Sequence, residues 1–278
     1  MSLRSYRSVL VILLISAAST WACAQDGGVA FGGALYRFEP AEEALHLPDL
    51  ETSLLPHVPL PVMAPELALQ AFQQHGQEQI AESPSYTDET LVIAELPESS
   101  QRGAFELQRS YVSPHTLSYK PIHFTGDTFV KSNVITRVLQ SEVDFVQKGD
   151  PKQVALSDAN YRFSYKGLQQ LDGHSAYVYQ VKPRVKRVGL FKGRIYLDAH
   201  TGAVLRSEGT IPKSPSFLVR KLEFVQEYAT VDGYTLPVHL HSTAQARIIG
   251  QTVVDIYHRD YQIQAVTASR TTGNSGQP

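Results

Sequence analysis

From Asn160 onward the chain keeps up a period-two alternation broken at short intervals by turn residues, and this pattern excludes most folds. Tyr161, Phe163 and Tyr165 fall on one side of an extended segment while Arg162, Ser164 and Lys166 fall on the other. Leu171-Asp172-Gly173 then supplies a tight turn, and Tyr177, Tyr179 and Val181 repeat the scheme. Phe191, Ile195 and Leu197 follow in a third strand, closed by Asp198-Ala199-His200-Thr201-Gly202. Ala203–Glu208, Phe217–Tyr228, Thr235–Thr243 and Thr252–Gln262 continue the series, with Asp232-Gly233 marking another hairpin. Connections this short join antiparallel neighbours.

Upstream, Leu91–Leu96, Ala104–Val112 and Leu117–Phe124 read as three further strands, with a corner at Pro114. After Gly126-Asp127 the period changes. Val130, Val134, Ile135, Val138, Leu139, Val143 and Val146 make one helical stripe, and Lys131, Arg137, Glu142 and Lys148 fall mostly off it. So many strands twist and curl, and a helix laid on the sheet covers an otherwise exposed apolar face. The expected fold is mainly β: a curved antiparallel sheet forming an open, incomplete barrel, with one long helix packed on it.

The N-terminus has its own logic. Arg4 and Arg7, the apolar run Val9–Ile15 and the small residues Ala22-Cys23-Ala24 form the three parts of a secretory signal, placing the mature protein in the periplasm or outside the cell. The run is much shorter than the roughly 20 residues a membrane-spanning helix needs. Lipid attachment at Cys23 is the rival reading, against which Thr20 and Trp21 stand where a lipobox has Leu and a small residue. Cleavage after Ala24 removes the only cysteine, so a disulfide and a thiolate metal site are both excluded from the mature chain. The formal net charge of -2 excludes a basic, nucleic-acid-binding surface of the usual kind. The expected organisation is a signal peptide over 1–24, a Pro-rich lead-in over 25–86 with a short helix near 65–75, one domain over 87–265 and a frayed tail over 266–278.

Four strings in this frame, Phe129–Ile135 (FVKSNVI), Asn160–Phe163 (NYRF), Gly189–Asp198 (GLFKGRIYLD) and Leu236–His239 (LPVH), resemble secreted bacterial proteins of unassigned function. These in turn look like the superfamily of LolA-like periplasmic lipoprotein carriers, whose strand pattern of Lys-Gly-Arg-Ile-Tyr followed by Asp and a Thr-Gly turn is similar to Lys192–Arg206. The likeness spans roughly Thr87 to Gln262. It implies an unclosed barrel that binds an acyl chain or lipoprotein without enzymatic chemistry or a cofactor. On that implication Val134, Ile135, Val138 and Leu139 form a helical lid, and Tyr161, Phe163, Tyr165, Tyr177, Tyr179, Phe191 and Ile195 the ligand-facing wall. Lys186, Arg187, Lys192 and Arg194 would meet an anionic membrane surface or an acidic partner. The long Pro-rich lead-in departs from the compact carriers.

Each candidate has a plainer reading. Aromatic stripes more often fill a core, which would make the chain a solid interaction module of an envelope or secretion assembly. His239 and His241 share a strand face and His258 lies on the next strand, a set that could bind metal, although Leu236, Val238 and Leu240 would then take the core side and leave the histidines to solvent. Asp172, Asp198 and Asp232 are better explained as turn residues than as catalytic acids. No Gly-x-Ser-x-Gly elbow occurs, and Gly189-x-x-x-Gly193 lacks the Lys-Ser/Thr ending of a phosphate loop.

Overall fold

The computed structural model describes residues 61–81, 84–213, 219–247 and 249–264. The expected signal peptide, most of the lead-in and the tail lie outside the described residues. Ten strands form one antiparallel sheet: β1 Ser85–Leu96, β2 Gln101–Val112, β3 Thr116–Gly126, β4 Tyr161–Leu171, β5 His174–Pro183, β6 Lys192–Asp198, β7 Val204–Thr210, β8 Val219–Val231, β9 Tyr234–Ala246 and β10 Gly250–Gln264. Their order is β3-β2-β1-β10-β9-β8-β7-β6-β5-β4, so the first strand pairs with the last, and the sheet stays open with β3 and β4 as its edges.

That order makes one connection exceptional, because β3 and β4 are consecutive in sequence and lie on opposite edges. A helix we call α2 runs between them in three continuous pieces, Thr128–Val130, a wide π turn Lys131–Ile135, and Thr136–Lys148. Its 21 residues extend ~31 Å at 1.5 Å per residue, short of the ~43 Å width of ten flat strands. Twist curls the sheet and brings its edges nearer, and the helix lies within the curve. Val130, Val134, Ile135, Val138 and Leu139 are buried against the sheet as the periodicity predicts. Glu142 departs from expectation. Sequence spacing puts it mostly off the stripe, yet it is buried, because the sheet offers it a charged partner described below.

The turns follow residue chemistry. Asp172-Gly173 and Asp232-Gly233 both take positive φ at the two central positions, the backbone a two-residue hairpin needs. Asp198 accepts hydrogen bonds from the amides of His200 and Thr201 and from the Thr201 hydroxyl, which accounts for it as a turn carboxylate.

The helix expected near 65–75 is longer, Pro65–Ala81, and belongs to the domain. This helix, α1, places Ala68 and Phe72 in the same apolar cluster as Val134, Tyr161, Tyr179 and Ile195. The chain entering it is gripped through its backbone. The hydroxyls of Tyr177 and Tyr179 donate to the carbonyls of Met63 and Pro65 at 2.5 and 2.6 Å, and the Met63 amide donates to Ala199. Gly202, at φ +75°, lets α1 approach the β6–β7 turn, since a Cβ there would stand 2.8 Å from the Ala68 carbonyl oxygen. If α1 is part of the core, Phe72→Ala should cost about 3 kcal/mol in urea unfolding. Leu67→Ala, at a position 55% exposed, should change stability by less than about 0.5 kcal/mol.

Candidate functional site

The inner face of the sheet carries the features that bear on function. Period-two alternation sends Tyr86, Asp88, Thr90 and Val92 of β1 inward, together with Leu107, Arg109 and Tyr111 of β2 and Val254, Ile256 and His258 of β10. Strand register then sets charges side by side, because Asp88 pairs directly with Arg109, and Thr90 with His258. Arg109, only 2% exposed, donates to the Tyr86 hydroxyl at 2.8 Å and lies 3.7 Å from Asp88 and 3.3 Å from Glu142 of α2. The Tyr119 hydroxyl donates to the other Glu142 oxygen at 2.5 Å. Asp88 accepts from the Thr90 hydroxyl at 2.7 Å and faces the His258 Nδ1 at 3.1 Å.

Burial alone would raise the Asp88 carboxyl. The Arg109 guanidinium, aided by hydrogen bonds from His258 and Thr90, reverses that and holds it below the usual carboxylate range. Tyr86, Tyr119 and Tyr261 are raised, chiefly by burial, and stay neutral, Tyr119 donating to Glu142 and Tyr261 to the Pro237 carbonyl. Thr90 and Asp88 meet the same ring nitrogen of His258, and the group is sealed from solvent, so it lacks both the relay and the access that nucleophilic catalysis needs. Its physical effect is to latch α2 to the sheet. A second tie holds the start of the helix, where the Lys131 ammonium lies 4.5 and 4.6 Å from the ring centroids of Phe105 and Phe124.

The residues expected to line a ligand space separate into two groups. Tyr161, Phe191 and Ile195 are wholly buried, with Phe163 packed beside them, and the Tyr161 hydroxyl accepts from the Phe191 amide. Tyr177 and Tyr179 lie beneath the segment entering α1, and Tyr165, 45% exposed, meets Tyr177 edgewise and Tyr179 at a tilt at the margin. α1 therefore occupies the ground in front of the aromatic wall. Val134, by contrast, reaches an apolar slot between the π turn of α2 and strands β8–β10. Leu222, Ser242, Ala244, Ala246, Thr252 and Val254 form its sheet side, and its volume is about 40 Å³. The Thr252 hydroxyl is buried there and has no hydrogen-bond partner among the described residues.

Sequence reasoning missed the slot and the latch. The signals were the small residues Ser242, Ala244 and Ala246 at alternate positions, and two inward charges, Asp88 and Arg109, inside otherwise apolar alternations.

The expected basic cluster is divided. Arg187 donates to the Gln153 carbonyl, as Arg184 does to those of Asp158 and Tyr161, fastening the β5–β6 loop to the segment before β4. Lys186 is exposed in that loop. Lys192 and Arg194 lie on the outer face with Lys166 around a shallow basin of about 500 Å³, and Arg194 pairs with Glu208 at 2.8 Å. His239 and His241 are also on the outer face, both bonded to Asp255, while His258 is on the inner face. Among the described residues no group of three or more His, Cys, Asp or Glu side chains is arranged to hold a metal ion.

Removing one partner of a buried ion pair strands the other, so Arg109→Met should destabilise the fold by about 3–5 kcal/mol, with much of the loss recovered in Arg109→Met/Glu142→Leu. A carboxylate whose folded pKa is depressed stabilises above its unfolded value, here 3.8, and that contribution disappears as pH falls through the folded value. Urea midpoints measured from pH 5 to pH 2 should therefore fall more steeply in the wild type than in Asp88→Asn.

No family model matches the sequence, and no curated protein does. Among solved structures the chain is similar to a LolA superfamily protein from Nitrosomonas europaea, at 10% identity over 73% of this chain and 95% of that one, with a TM-score of 0.39. It is also similar to a DUF1329 family protein from Desulfovibrio piger, at 12% identity over 72% and 92% with a TM-score of 0.40. A putative outer membrane lipoprotein-sorting protein domain from Vibrio parahaemolyticus is a third, at 14% identity over 73% and 95% with a TM-score of 0.39. The fold stands on the strand order and the helix described above, and these likenesses add no argument of their own.

Proposed function

We propose that the chain is an exported, non-enzymatic binding module for an apolar ligand such as an acyl chain or the lipid part of a lipoprotein, and that the packed fold is its closed form. The observation that carries this reading is the slot between α2 and β8–β10. Ser242, Ala244 and Ala246 leave room on its sheet side, a buried hydroxyl within it has no partner among the described residues, and the helix above it is locally irregular at the π turn. At about 40 Å³ the slot is far below the roughly 300–1,000 Å³ of ligand pockets, so binding requires the first half of α2 to lift. The Arg109–Glu142 latch further along the helix sets what that costs. Burial of about 0.8 kcal/mol per CH₂ offsets it as the chain enters. Of the basic residues, exposed Lys186 in the β5–β6 loop and Lys192 on the outer face are the ones left to meet an anionic surface during transfer.

The packed interior favours a second reading, a solid interaction module, and the same experiment separates the two. A fluorescent sixteen-carbon fatty acid titrated into the purified protein should bind saturably. Ala244→Trp, which fills the slot, should weaken it tenfold or more, and Glu142→Gln, which weakens the latch, should strengthen it. Absence of saturable uptake, together with a bare mass in native mass spectrometry after gentle purification, would overturn the carrier reading in favour of the solid module.

A further inference from the structure

The two free edges of the sheet differ. On β3, Pro121 and an adjacent register shift interrupt the row of backbone amides, which blunts that edge against further pairing. β4 has no proline, and its ladder to β5 runs unbroken from Tyr161 to Tyr165 before slipping once at Lys166-Gly167. Beyond Tyr161, whose carbonyl accepts from Arg184, no backbone among the described residues pairs with the far side of this run. The run is an open template for another strand.

Its side chains specify what kind of strand. Arg162 and Ser164 fall on the outer face, where Lys166 shares the shallow basin with Gln180. Arg162 is set directly opposite Lys182 of β5, an arrangement in which like charges repel. Arg162, Lys166 and Lys182 form no ion pair among the described residues, in a chain with 27 acidic against 25 basic side chains, and Glu208 of β7 is already taken by Arg194. On the inner side Tyr165 is 45% and Leu168 48% exposed, so two large apolar side chains also lie open at this margin.

Positive charge is one way a protein guards an edge, yet the guard is selective. In an antiparallel pair of two copies centred on Ser164, Arg162 of one would face Lys166 of the other, which rejects self-pairing. A strand carrying carboxylates at those positions is attracted instead. A lipid surface would answer the charge and leave the backbone groups unanswered, whereas an extended peptide answers both. We propose that the Arg162–Lys166 edge of β4 docks an extended acidic segment of another protein by strand addition. Carboxylates at alternate positions meet Arg162, Lys166 and Lys182, and the apolar side chains between them meet Tyr165 and Leu168. The site is independent of the apolar slot at β8–β10.

The test is an anisotropy titration of the full chain with a labelled eight-residue peptide in which Glu alternates with Val. Saturable binding of one peptide per chain is expected, with slower hydrogen exchange of the Arg162–Lys166 amides in the complex. The same peptide with Lys for Glu, or with every amide N-methylated, should bind at least tenfold more weakly. Arg162→Glu/Lys166→Glu should weaken the Glu peptide tenfold or more and tighten the Lys peptide, a reversal that a folding defect would not produce. Ala244→Trp in the slot should leave peptide binding unchanged. No saturable binding, full affinity of the N-methylated peptide, or unchanged preference in the charge-swapped chain would each overturn the proposal. Phosphatidylglycerol vesicles bound in place of the peptide would overturn it in favour of a membrane contact, and self-association of the wild type that the charge swap alters would do so in favour of a second copy.

Discussion

The organisation of this protein depends on one connection, the passage from β3 to β4. These strands are neighbours in sequence and are the two free margins of a ten-stranded sheet, so the segment between them has to traverse the whole inner face. A helix does this with its backbone hydrogen bonds satisfied internally, which an irregular strap crossing an apolar surface could not. Its buried stripe is then the natural partner for the inward residues of β1, β2 and β10. The curl of the sheet, the burial of α2 and the shape of the remaining spaces are aspects of the same fit.

An apolar helix on an apolar sheet has little to fix how far it slides or lifts. Glu142 supplies that specification, since it can be buried only where Arg109 and Tyr119 meet it. Charge burial of this kind contributes little net stability, and its worth lies in defining one position of the helix. The Asp88–Arg109–His258 row is placed by strand register alone, so sheet geometry reaches directly into helix placement.

Much of the architecture was legible because its signals are local. Asp-Gly turns, aromatic alternation in β4–β6 and the stripe of α2 each lie within a few residues of one another. What escaped was non-local. The apolar run predicts β1 only from Leu91, whereas the strand starts at Ser85, its polar first half held between β2 and β10. The membership of α1 in the core was hidden for a similar reason. Its apolar face is narrow, and it is fastened by tyrosine hydroxyls more than 110 positions away. Periodicity buries Val134 without showing what it packs against, and the alternation that groups Tyr177 with Tyr179 carries no sign of the helix that stands in front of them. The split of the basic cluster could not be read either, because Arg187 finds its acceptor on a backbone carbonyl, which carries no sequence signature.

The pairing of β1 with β10 bears on how the fold is reached. Within the sheet, β3 to β1 join the other seven strands through that ladder, whose partners stand 158 residues apart at Glu95–Val253 and 179 apart at Ser85–Gln264. Until the final strand has been made and delivered, β1 and β9 are both raw margins able to recruit strands from other molecules. Native assembly is therefore a closing step, slow by its sequence separation and hazardous while it waits. In this topology a chaperone that shields nascent strands would matter most for the stretch between the first hairpin and the last.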